Sequence, residues 1–300
     1  MVQKYPSISV VIPCLNGRNT IGNLLKSIYS QQYQGKIEVI ATDDGSTDGT
    51  SDYLRKSWPT VKLIKFAKTQ GSAPALNAAA KKSTGNYILA TNDDVTFDKN
   101  AFIALVDCYQ SQQKVGITTG KMLDSKDQFA IPGFRINHYL GYHPYDLKDK
   151  NKIRQCDWAV GACLFIKKDL FKKIGGFDEG FIFCGEEYDL AFRIRQFGLK
   201  VLYTPKAIFY HSFNRNLNPN KETLFAHYRG KIRYMFKNGR IDHLLIFLPL
   251  QLLAIPFLYI FQGKIINIYA LYRAFIWNLI NLPKTLNTKN RVYGIPTPKI

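Results

Sequence analysis

The chain has 300 residues, 46% hydrophobic and 21% charged, an ordinary composition for one large domain or one domain with an extension. The formal net charge is +19. From Ala191 onward the sequence contains 17 Lys and Arg residues and only two acidic residues, Glu222 and Asp242, so the last third carries a net charge of about +15. Such a segment suits nucleic acid or an anionic membrane surface, and the hydrophobic runs between the charges favour the membrane over nucleic acid.

The five cysteines predict neither a zinc site nor a disulfide framework, because they are odd in number and contain no C-x-x-C spacing. Residues 1–6 are polar and lead into a strand pattern, so we expect no signal peptide. Together these features predict chemistry in a reducing, cytosolic compartment.

Strands and helices alternate along the first 90 residues. Apolar runs and helical spacing predict the strands Ile8–Ile12, Ile37–Ala41, Val61–Phe66 and Tyr87–Ala90 and the helices Asn19–Gln31, Thr47–Lys56 and Ala73–Lys82. This βαβ alternation predicts an α/β fold with a doubly wound parallel sheet, whose four strands are central. Ligands bind at the carboxyl edge of such sheets, where the polar clusters Pro13–Gly17, Asp43–Asp48 and Asn92–Asp94 fall.

The rest of the chain divides near Asn214. Before it, the pattern is less regular, with a predicted strand Ala162–Ile166 and helices near Asp169–Ile174 and Glu186–Phe197. We therefore predict a catalytic domain of residues 1–214 and a basic, hydrophobic, helical extension of residues 215–300. The extension is predicted to contain a basic helix and two apolar runs: Lys221–Asn238, Leu244–Phe261 and Ile265–Ile280.

The run from Asp43 to Asp48 ends a strand and opens a helix. Ser46, Thr47 or Asp48 can cap that helix. A calcium loop would need a bidentate Glu where Arg55 stands. The remaining carboxylates at the strand end can accept hydrogen bonds from a nucleobase or a ribose.

Three further features can carry chemistry or be purely structural. Asn92-Asp93-Asp94 is a solvated turn or holds a divalent cation on a substrate diphosphate. Acidic residues from Glu186 to Asp189 suit a helix N-terminus electrostatically, or one of them is a general base. His211, after a strand-like segment, is structural or a metal ligand.

Taken in order, these segments resemble the family 2 glycosyltransferases, an inverting group with the GT-A fold. The resemblance covers Ser7 to Phe213, and within the family it is greatest to the rhamnosyltransferase-like enzymes of surface polysaccharide assembly. The motifs that carry it are Ser9–Asn16, Asp43–Asp48, Asn77, Gly85–Asp94, Asp157-Trp158 with Gly161–Cys163, Gly175–Glu179, Gly185–Leu190 and Tyr210-His211.

The resemblance implies a GT-A (Rossmann-like), mostly parallel central sheet flanked by helices, with a metal-dependent site. The implied donor residues are Pro13, Asn16, Asp43, Asp44, Asn77, Asn92 and Asp93. The implied acceptor-side residues are Trp158, Gly161 and Asp189. Asp94 and His211 would hold Mn²⁺ or Mg²⁺, and Glu187, or Glu186 beside it, would be the catalytic base. The implied reaction moves a hexosyl or deoxyhexosyl group from a nucleotide sugar to a saccharide or lipid-linked saccharide, with inversion, in cell-surface polysaccharide or glycan biosynthesis.

Two positions depart from the family pattern. Asn92 stands at the first position of the D-x-D motif, so metal binding would depend on Asp94, His211 and the diphosphate. Glu187 stands where the catalytic motif usually has Asp, which leaves the choice between Glu187 and Glu186 open.

Two other functions compete with this interpretation. A nucleotidyltransferase-like or other nucleotide-binding α/β enzyme would need a Gly-rich phosphate loop, which Pro13–Arg18 does not provide. A non-catalytic membrane-bound module would leave the acidic clusters without a role.

The apolar runs between Leu244 and Ile280 predict docking at the cytoplasmic face of a membrane. The first run has 18 uncharged residues with Pro249 and Pro256, and the second carries Arg273 near its middle, so two interfacial or re-entrant helices are predicted rather than two spans. Packing on the catalytic domain or on a second subunit is the alternative, and the oligomeric state is left open. The cations predicted to meet anionic headgroups are Arg229, Lys231, Arg233, Lys237, Arg240, Lys284, Lys289 and Arg291.

Overall fold

The structure is a computed structural model that describes residues 5–124, 135–140, 150–212 and 220–292. Its strands are β1 (Ile8–Cys14), β2 (Ile37–Asp43), β3 (Lys62–Lys65), β4 (Tyr87–Ala90), β5 (Val95–Phe97), β6 (Val115–Leu123), β7 (Arg154–Cys156), β8 (Leu164–Lys167) and β9 (Lys200–His211). Its helices are α1 (Ile21–Tyr29), α2 (Thr50–Ser57), α3 (Ser72–Lys82), α4 (Ala101–Gln110), α5 (Lys168–Lys173), α6 (Glu186–Gln196), α7 (Lys221–Asn238), α8 (Ile241–Pro249), α9 (Ile255–Phe261), α10 (Ile265–Ile280) and α11 (Leu282–Val292).

Most of the strands lie in one sheet in the order β3-β2-β1-β4-β8-β6-β9-β5, and β7 pairs with β9. The first four are parallel, as predicted, and the fold is the α/β architecture of a mostly parallel central sheet with flanking helices. Strands β1 and β4 are buried on both faces, which is why their sequences are continuous apolar runs. The prediction that Val61–Phe66 is a central strand was wrong, because β3 is an edge strand with exposed lysines at both ends.

The other half of the sheet was largely missed from sequence. Strand β8 runs antiparallel to β4 and β6, and β5 runs antiparallel to β9. The predicted strand Ala162–Ile166 is a 3₁₀ turn, Gly161–Cys163, followed by β8. The antiparallel pairing of β5 with β9 places Val95 opposite His211, which brings the end of the 92–94 segment to the end of β9.

The C-terminal helices pack on the catalytic part through a second apolar cluster. Phe181, which precedes α6, lies in this cluster with Ile232 and Met235 of α7, Phe247 of α8 and Leu271 of α10. Helix α7 has the predicted bounds. The predicted domain boundary at residue 214 lies outside the described residues.

Helices α8 and α9 join through a π-helical turn, Leu250–Ala254, into one continuous helix, Ile241–Phe261. Pro249 and Pro256 were predicted to disfavour a straight helix here, but the chain stays helical through both, and the π-helical turn lies between them. It has 21 residues, and its most apolar 18-residue window has a mean hydropathy of 2.3 and is 17% buried. Among the described residues, this helix is long and apolar enough to cross a membrane. Helices Ile265–Ile280 and Leu282–Thr288, which meet at an angle of 65°, would form a second such segment if they are counted together.

The cations of α7 are placed differently from the prediction. Arg229, Arg233 and Lys237 are buried within the protein, not directed at headgroups. Lys237 Nζ lies 2.7 Å from Asp178 Oδ2 and 2.8 Å from Asp189 Oδ1. These ion pairs join α7 to helix α6 and to the loop before it, so Lys237 has its carboxylate partners inside the molecule.

Candidate active site

The loops after β1 and β2 are joined at the carboxyl edge of the sheet. Cys14 is opposite Asp43 in the register of β1 and β2. Asn16, in a left-handed conformation with φ of 57°, accepts a hydrogen bond from Thr47 N through Oδ1 at 2.9 Å. Its own N–H donates to Ser46 Oγ at 2.9 Å. Asn16 thus fixes the two loops predicted to hold the nucleotide, and the half-buried Pro13 leads into them.

The Asp43 and Asp44 carboxylates are buried and hydrogen-bonded to the neighbouring backbone. Asp43 accepts from Ser46 N and from Ser51 Oγ. Burial opposes ionisation of Asp43, but these hydrogen bonds hold its pKa below the usual value. Asp44 accepts from the N–H groups of Gln70 and Gly71 at 2.7 and 2.9 Å. Both carboxylates therefore shape the loop after β2, and Asp44 joins it to the start of α3.

The predicted capping role falls to Asp48. Its Oδ1 accepts from Thr50 N at 3.0 Å in the first turn of α2, and its Oδ2 accepts from Arg18 N at 3.0 Å. Asp48 therefore both starts α2 and anchors the loop after β1.

The 92–94 segment lies on the other side of the β1 loop. A Cβ atom at Gly17 would overlap the Asp93 carboxylate, so Gly is required for this close approach. Burial, and then the charge of Asp94, raise the pKa of Asp93 to about 6. Asp93 and Asn16 therefore flank the same loop.

Asp94 and His211 lie together, as the pairing of β5 with β9 dictates. Asp94 Oδ1 is 3.0 Å from His211 Nε2, and Asn92 Nδ2 is 3.5 Å from the same nitrogen. Two neighbouring ligands of an octahedral Mg²⁺ ion, at 2.0–2.1 Å each, lie about 3 Å apart. A carboxylate oxygen and an imidazole nitrogen at this spacing fit a divalent ion. No group of three or more metal-binding side chains occurs in the described part of the chain, so substrate oxygens or water would complete the coordination.

Glu186 and Glu187 open α6 close to the segment that Asp44 holds at the start of α3. Ser72 Oγ donates to Glu186 Oε1 at 2.7 Å, and Ser72 follows Gly71, which donates to Asp44. Glu186 Oε2 is buried and has no hydrogen-bond partner among the described residues. Gly161 faces Glu187, since a Cβ atom there would lie 3.7 Å from its carboxyl carbon. Small residues on both sides thus leave room at the two carboxylates.

The environment of this glutamate pair favours proton uptake. Burial raises the pKa of both, and the charge of Glu186 raises the pKa of Glu187 further. Neither glutamate has a Lys or Arg ion-pair partner within the described residues. A carboxylate with a raised pKa is a better proton acceptor, which is the property that a general base needs.

Three residues predicted to contact substrate are used within the protein instead. Both polar atoms of the Asn77 amide bond the backbone of Phe177, which braces α3 against the loop before α6. Asp189 is fully buried between Arg193 and Lys237, and although burial opposes ionisation these cations hold its pKa near 2. Trp158 is 3% exposed and packs edge-on against Tyr188 at 4.6 Å between ring centroids. Each supports the site from behind.

The sequence did not reveal the structural roles of Ser72 and Lys237 beside the candidate site. Ser72 opens α3 directly after a glycine with φ of 109°, and this helix-start signal was present in the sequence. Lys237 gave no such signal, because Asp178 is 59 residues away in the chain. Its role is decided by tertiary packing alone.

The chain is similar to known proteins in sequence and in fold. Residues 9–175 match the family model described as glycosyl transferase family 2. The chain is 23% identical over 208 residues to a poly-beta-1,6-N-acetyl-D-glucosamine synthase of Staphylococcus epidermidis, covering 69% of this chain and 50% of the relative. It is 23% identical over 234 residues to an N-acetylglucosaminyl-diphospho-decaprenol L-rhamnosyltransferase of Mycobacterium tuberculosis, covering 68% of this chain and 75% of the relative.

A solved structure shows the same fold. The mannosyltransferase PcManGT from Pyrobaculum calidifontis, in complex with GDP-Man and Mn²⁺, has a TM-score of 0.60 at 18% identity, covering 96% of this chain and 80% of that one. The chain spans half or less of the first curated relatives that it matches. Because the family model covers more than half of the chain, the chain belongs to glycosyl transferase family 2, and its fold is GT-A-like.

Proposed function

We propose that the chain transfers a sugar from a nucleotide-sugar donor to a saccharide or lipid-linked saccharide, with inversion and with the help of Mn²⁺ or Mg²⁺, in the assembly of a cell-surface polysaccharide or glycan. One observation carries the proposal. A continuous set of contacts runs from the β1 and β2 loops through Asp44, Gly71 and Ser72 to Glu186, with the Asp94–His211 pair on the other side of the same edge. The names of the relatives, which include a rhamnosyltransferase and a polysaccharide synthase, support this class of substrates.

The donor half of the site is formed by the loops around Asn16 and by Asp94 with His211. Asp93, with a raised pKa beside Asp94, would sit at the ribose or phosphate side of the nucleotide. Asp94 and His211 would hold the metal, which when bound neutralises the charge of a diphosphate leaving group. Asn92, an amide in place of the usual first carboxylate, would leave one anionic ligand at this position.

The acceptor half is formed by Glu187, Gly161 and the start of α6. Glu187 would take the proton of the acceptor hydroxyl while that oxygen attacks the anomeric carbon and the nucleoside diphosphate leaves. A single displacement of this kind inverts the anomeric carbon. Ser72 would orient Glu186, whose charge makes Glu187 the stronger base.

A panel of UDP-, GDP- and dTDP-sugars tests the reaction class. We expect one donor to be hydrolysed slowly to the free sugar and the nucleoside diphosphate in the presence of Mn²⁺ and not in EDTA. Release of inorganic diphosphate from a nucleoside triphosphate and a sugar phosphate would indicate the nucleotidyltransferase alternative. No turnover and no thermal stabilisation by any donor would contradict the proposal, since saturating ligand at about 100 times Kd adds roughly 2.7 kcal/mol.

Asp94→Asn is expected to abolish Mn²⁺-dependent donor binding, because it removes the anionic ligand and keeps the side-chain shape. The measurement is calorimetric titration of the best donor with and without Mn²⁺. Asp98→Asn, a change of the same type outside the site, is the matched control. An Asp94→Asn variant with the Mn²⁺ dependence of the unmodified protein would contradict the metal role.

We propose further that the C-terminal helices hold the protein on a membrane, at its cytoplasmic face. Large apolar side chains on α8 and α9 are open to solvent, and Leu245, Leu253 and Phe261 are each at least 70% exposed. Exposed apolar surface of this extent marks an interaction site. Arg240, Lys264 and Lys284 are exposed around it and would meet anionic headgroups, in place of the buried cations of α7.

Replacing Leu253 and Phe257, one helical turn apart, by Glu is expected to release the protein from anionic liposomes. Each Glu would place a charge on an apolar face that contacts lipid, while both side chains are more than half exposed and so contribute little to the fold. The measurement is liposome flotation at low salt, with Ile153→Glu on the catalytic part as control. Equal flotation of the double variant and the control would contradict docking by α8 and α9.

A further inference from the structure

Two arginines on neighbouring helices share one aromatic ring. The guanidinium carbon of Arg273, on α10, lies 4.1 Å from the centroid of the Phe225 ring on α7. That of Arg229, on α7, lies 5.4 Å from the same centroid and 5.1 Å from the centroid of the Trp277 ring on α10. Helices α7 and α10 thus bring two positive charges together against aromatic faces.

Arg229 is a buried charge without a counter-ion. It is 8% exposed, and its side chain makes no hydrogen bond or ion pair with any described residue. Among the described residues, the guanidinium group lies against the two rings, and its charge also acts on Cys184. Arg193 and Arg233, buried to the same degree, are each paired with a carboxylate. The nitrogens of Arg229 are not among the fully buried polar atoms without a partner, so its guanidinium group is accessible to an anion from outside the protein.

Arg273 lies in an exposed apolar stripe of α10. Tyr269, Ile276 and Ile280 stand four residues before it and three and seven after it, on the same helical face, and each is exposed. Its partner, Glu222 at 2.7 Å, is itself solvent-exposed, so the pair contributes little and can be exchanged for another anion. The surface beside the two charges therefore suits an apolar chain.

The pair lies beside the candidate base. Gly230, the residue after Arg229, packs against the Cys184 carbonyl so closely that a Cβ atom would overlap it. Burial raises the pKa of Cys184, and so do the charges of Glu187 and Glu186, whereas the charge of Arg229 opposes them. Cys184 is thus flanked by the glutamate pair and by Arg229. An anion held by Arg229 would lie next to the site of acceptor deprotonation.

We propose that Arg229 and Arg273 bind the phosphate or diphosphate of an acceptor that carries an apolar chain, with the chain along the Tyr269–Ile280 face of α10. Arginine suits this role because its planar fork can donate two hydrogen bonds to one phosphate group. The assignment depends on the proposed function, of which it specifies the acceptor: a lipid-linked saccharide phosphate and not a free sugar.

The test uses the full chain in neutral detergent, with EDTA present so that the metal-dependent donor site cannot bind the probe. Farnesyl diphosphate is the probe, and farnesol and inorganic diphosphate each lack one half of it. We expect farnesyl diphosphate to bind most tightly and to change tryptophan fluorescence. That change should be lost in Trp277→Phe and kept in Trp58→Phe.

Arg229→Gln is expected to weaken binding of farnesyl diphosphate about tenfold or more, the scale of losing hydrogen bonds to a charged group. Arg229→Lys should fall between, because it keeps the charge without the fork. Arg55→Gln, an exposed arginine on α2, is the charge-matched control. Should Arg229→Gln fail to fold, as judged by its thermal melt, the exposed Arg273→Gln carries the same test.

Two results with the probe would overturn the inference: equal affinity of farnesyl diphosphate for the unmodified protein and for Arg229→Gln, or its substitute Arg273→Gln; or inorganic diphosphate binding as tightly as farnesyl diphosphate. A parallel flotation assay with phosphatidylglycerol vesicles tests the headgroup alternative. If the variant floats less but binds farnesyl diphosphate as before, the arginines form a headgroup site and the inference is wrong. Donor hydrolysis is measured in parallel. If the unmodified protein hydrolyses no nucleotide sugar, the proposed function is wrong whatever the result with the probe. If donor hydrolysis is normal and the arginine variants bind the probe as the unmodified protein does, only this subsite is wrong.

Discussion

Glu187→Gln is expected to lower turnover by roughly 10² or more while donor binding is unchanged, because the change removes the proton acceptor and keeps its size. Turnover is measured at saturating donor, and donor affinity by calorimetry with Mn²⁺. Glu186→Gln is the matched control, since its glutamine oxygen can still accept the hydrogen bond from Ser72. If Glu186→Gln is inactive and Glu187→Gln is not, Glu186 is the base.

The same pair makes a prediction about pH. The base form of Glu187 is populated only above its pKa, which burial and Glu186 raise, so activity should rise with pH above the usual glutamate range. Removing the charge of Glu186 lowers the pKa of Glu187, so the acidic limb of the kcat/KM profile should shift to lower pH in Glu186→Gln. An acidic limb that does not move would show that Glu187 is not the titrating group.

Lys237→Met is expected to destabilise the fold by about 3 kcal/mol or more, the range measured when one partner of a buried ion pair is removed. Lys237 is fully buried and bridges Asp178 and Asp189. Without it, each of these buried carboxylates keeps only one cationic partner, Arg233 for Asp178 and Arg193 for Asp189. The measurement is the free energy of unfolding from denaturant titration. Lys99→Met, on an exposed side chain, should change it by no more than about 0.5 kcal/mol.

This variant also distinguishes the two roles considered for the cations of α7. A lysine that met lipid headgroups would weaken liposome flotation when replaced and leave stability nearly unchanged. A lysine inside the protein does the reverse. Stability equal to that of the unmodified protein in Lys237→Met would contradict the buried bridge.

The sequence by itself determined the parallel half of the sheet and the order of its ligand loops. Strands β1 and β4 are buried on both faces, and each shows in the sequence as a run of apolar residues. Helix α7 was found to the residue, because Asn220 caps it and Gly239 follows its end. The acidic clusters at the strand ends were found for the same reason: parallel strands end at one edge, so local patterns predict a common site.

Helices and strands whose apolar and polar residues do not alternate at a regular spacing were not predicted from the sequence. Helix α4 is buried on nearly every side, so its run from Ala101 to Gln110 has no polar stripe to reveal helical spacing. Strand β6 contains Gly116 and Gly120, which weaken a strand pattern and are required because neighbouring groups approach their backbone closely.

Only the tertiary structure decided which polar residues face a ligand and which hold the protein together. Asn77 and Asp189 look like site residues in the sequence, yet their partners, Phe177 and Lys237, are far away in the chain and are brought close by the fold. The cations of α7 look like a membrane-facing charge cluster until the carboxylates of Asp178 and Asp189 are placed beside them. Residue type and spacing predict what a side chain can do, but burial and long-range partners, which no local pattern encodes, select which of those roles it performs.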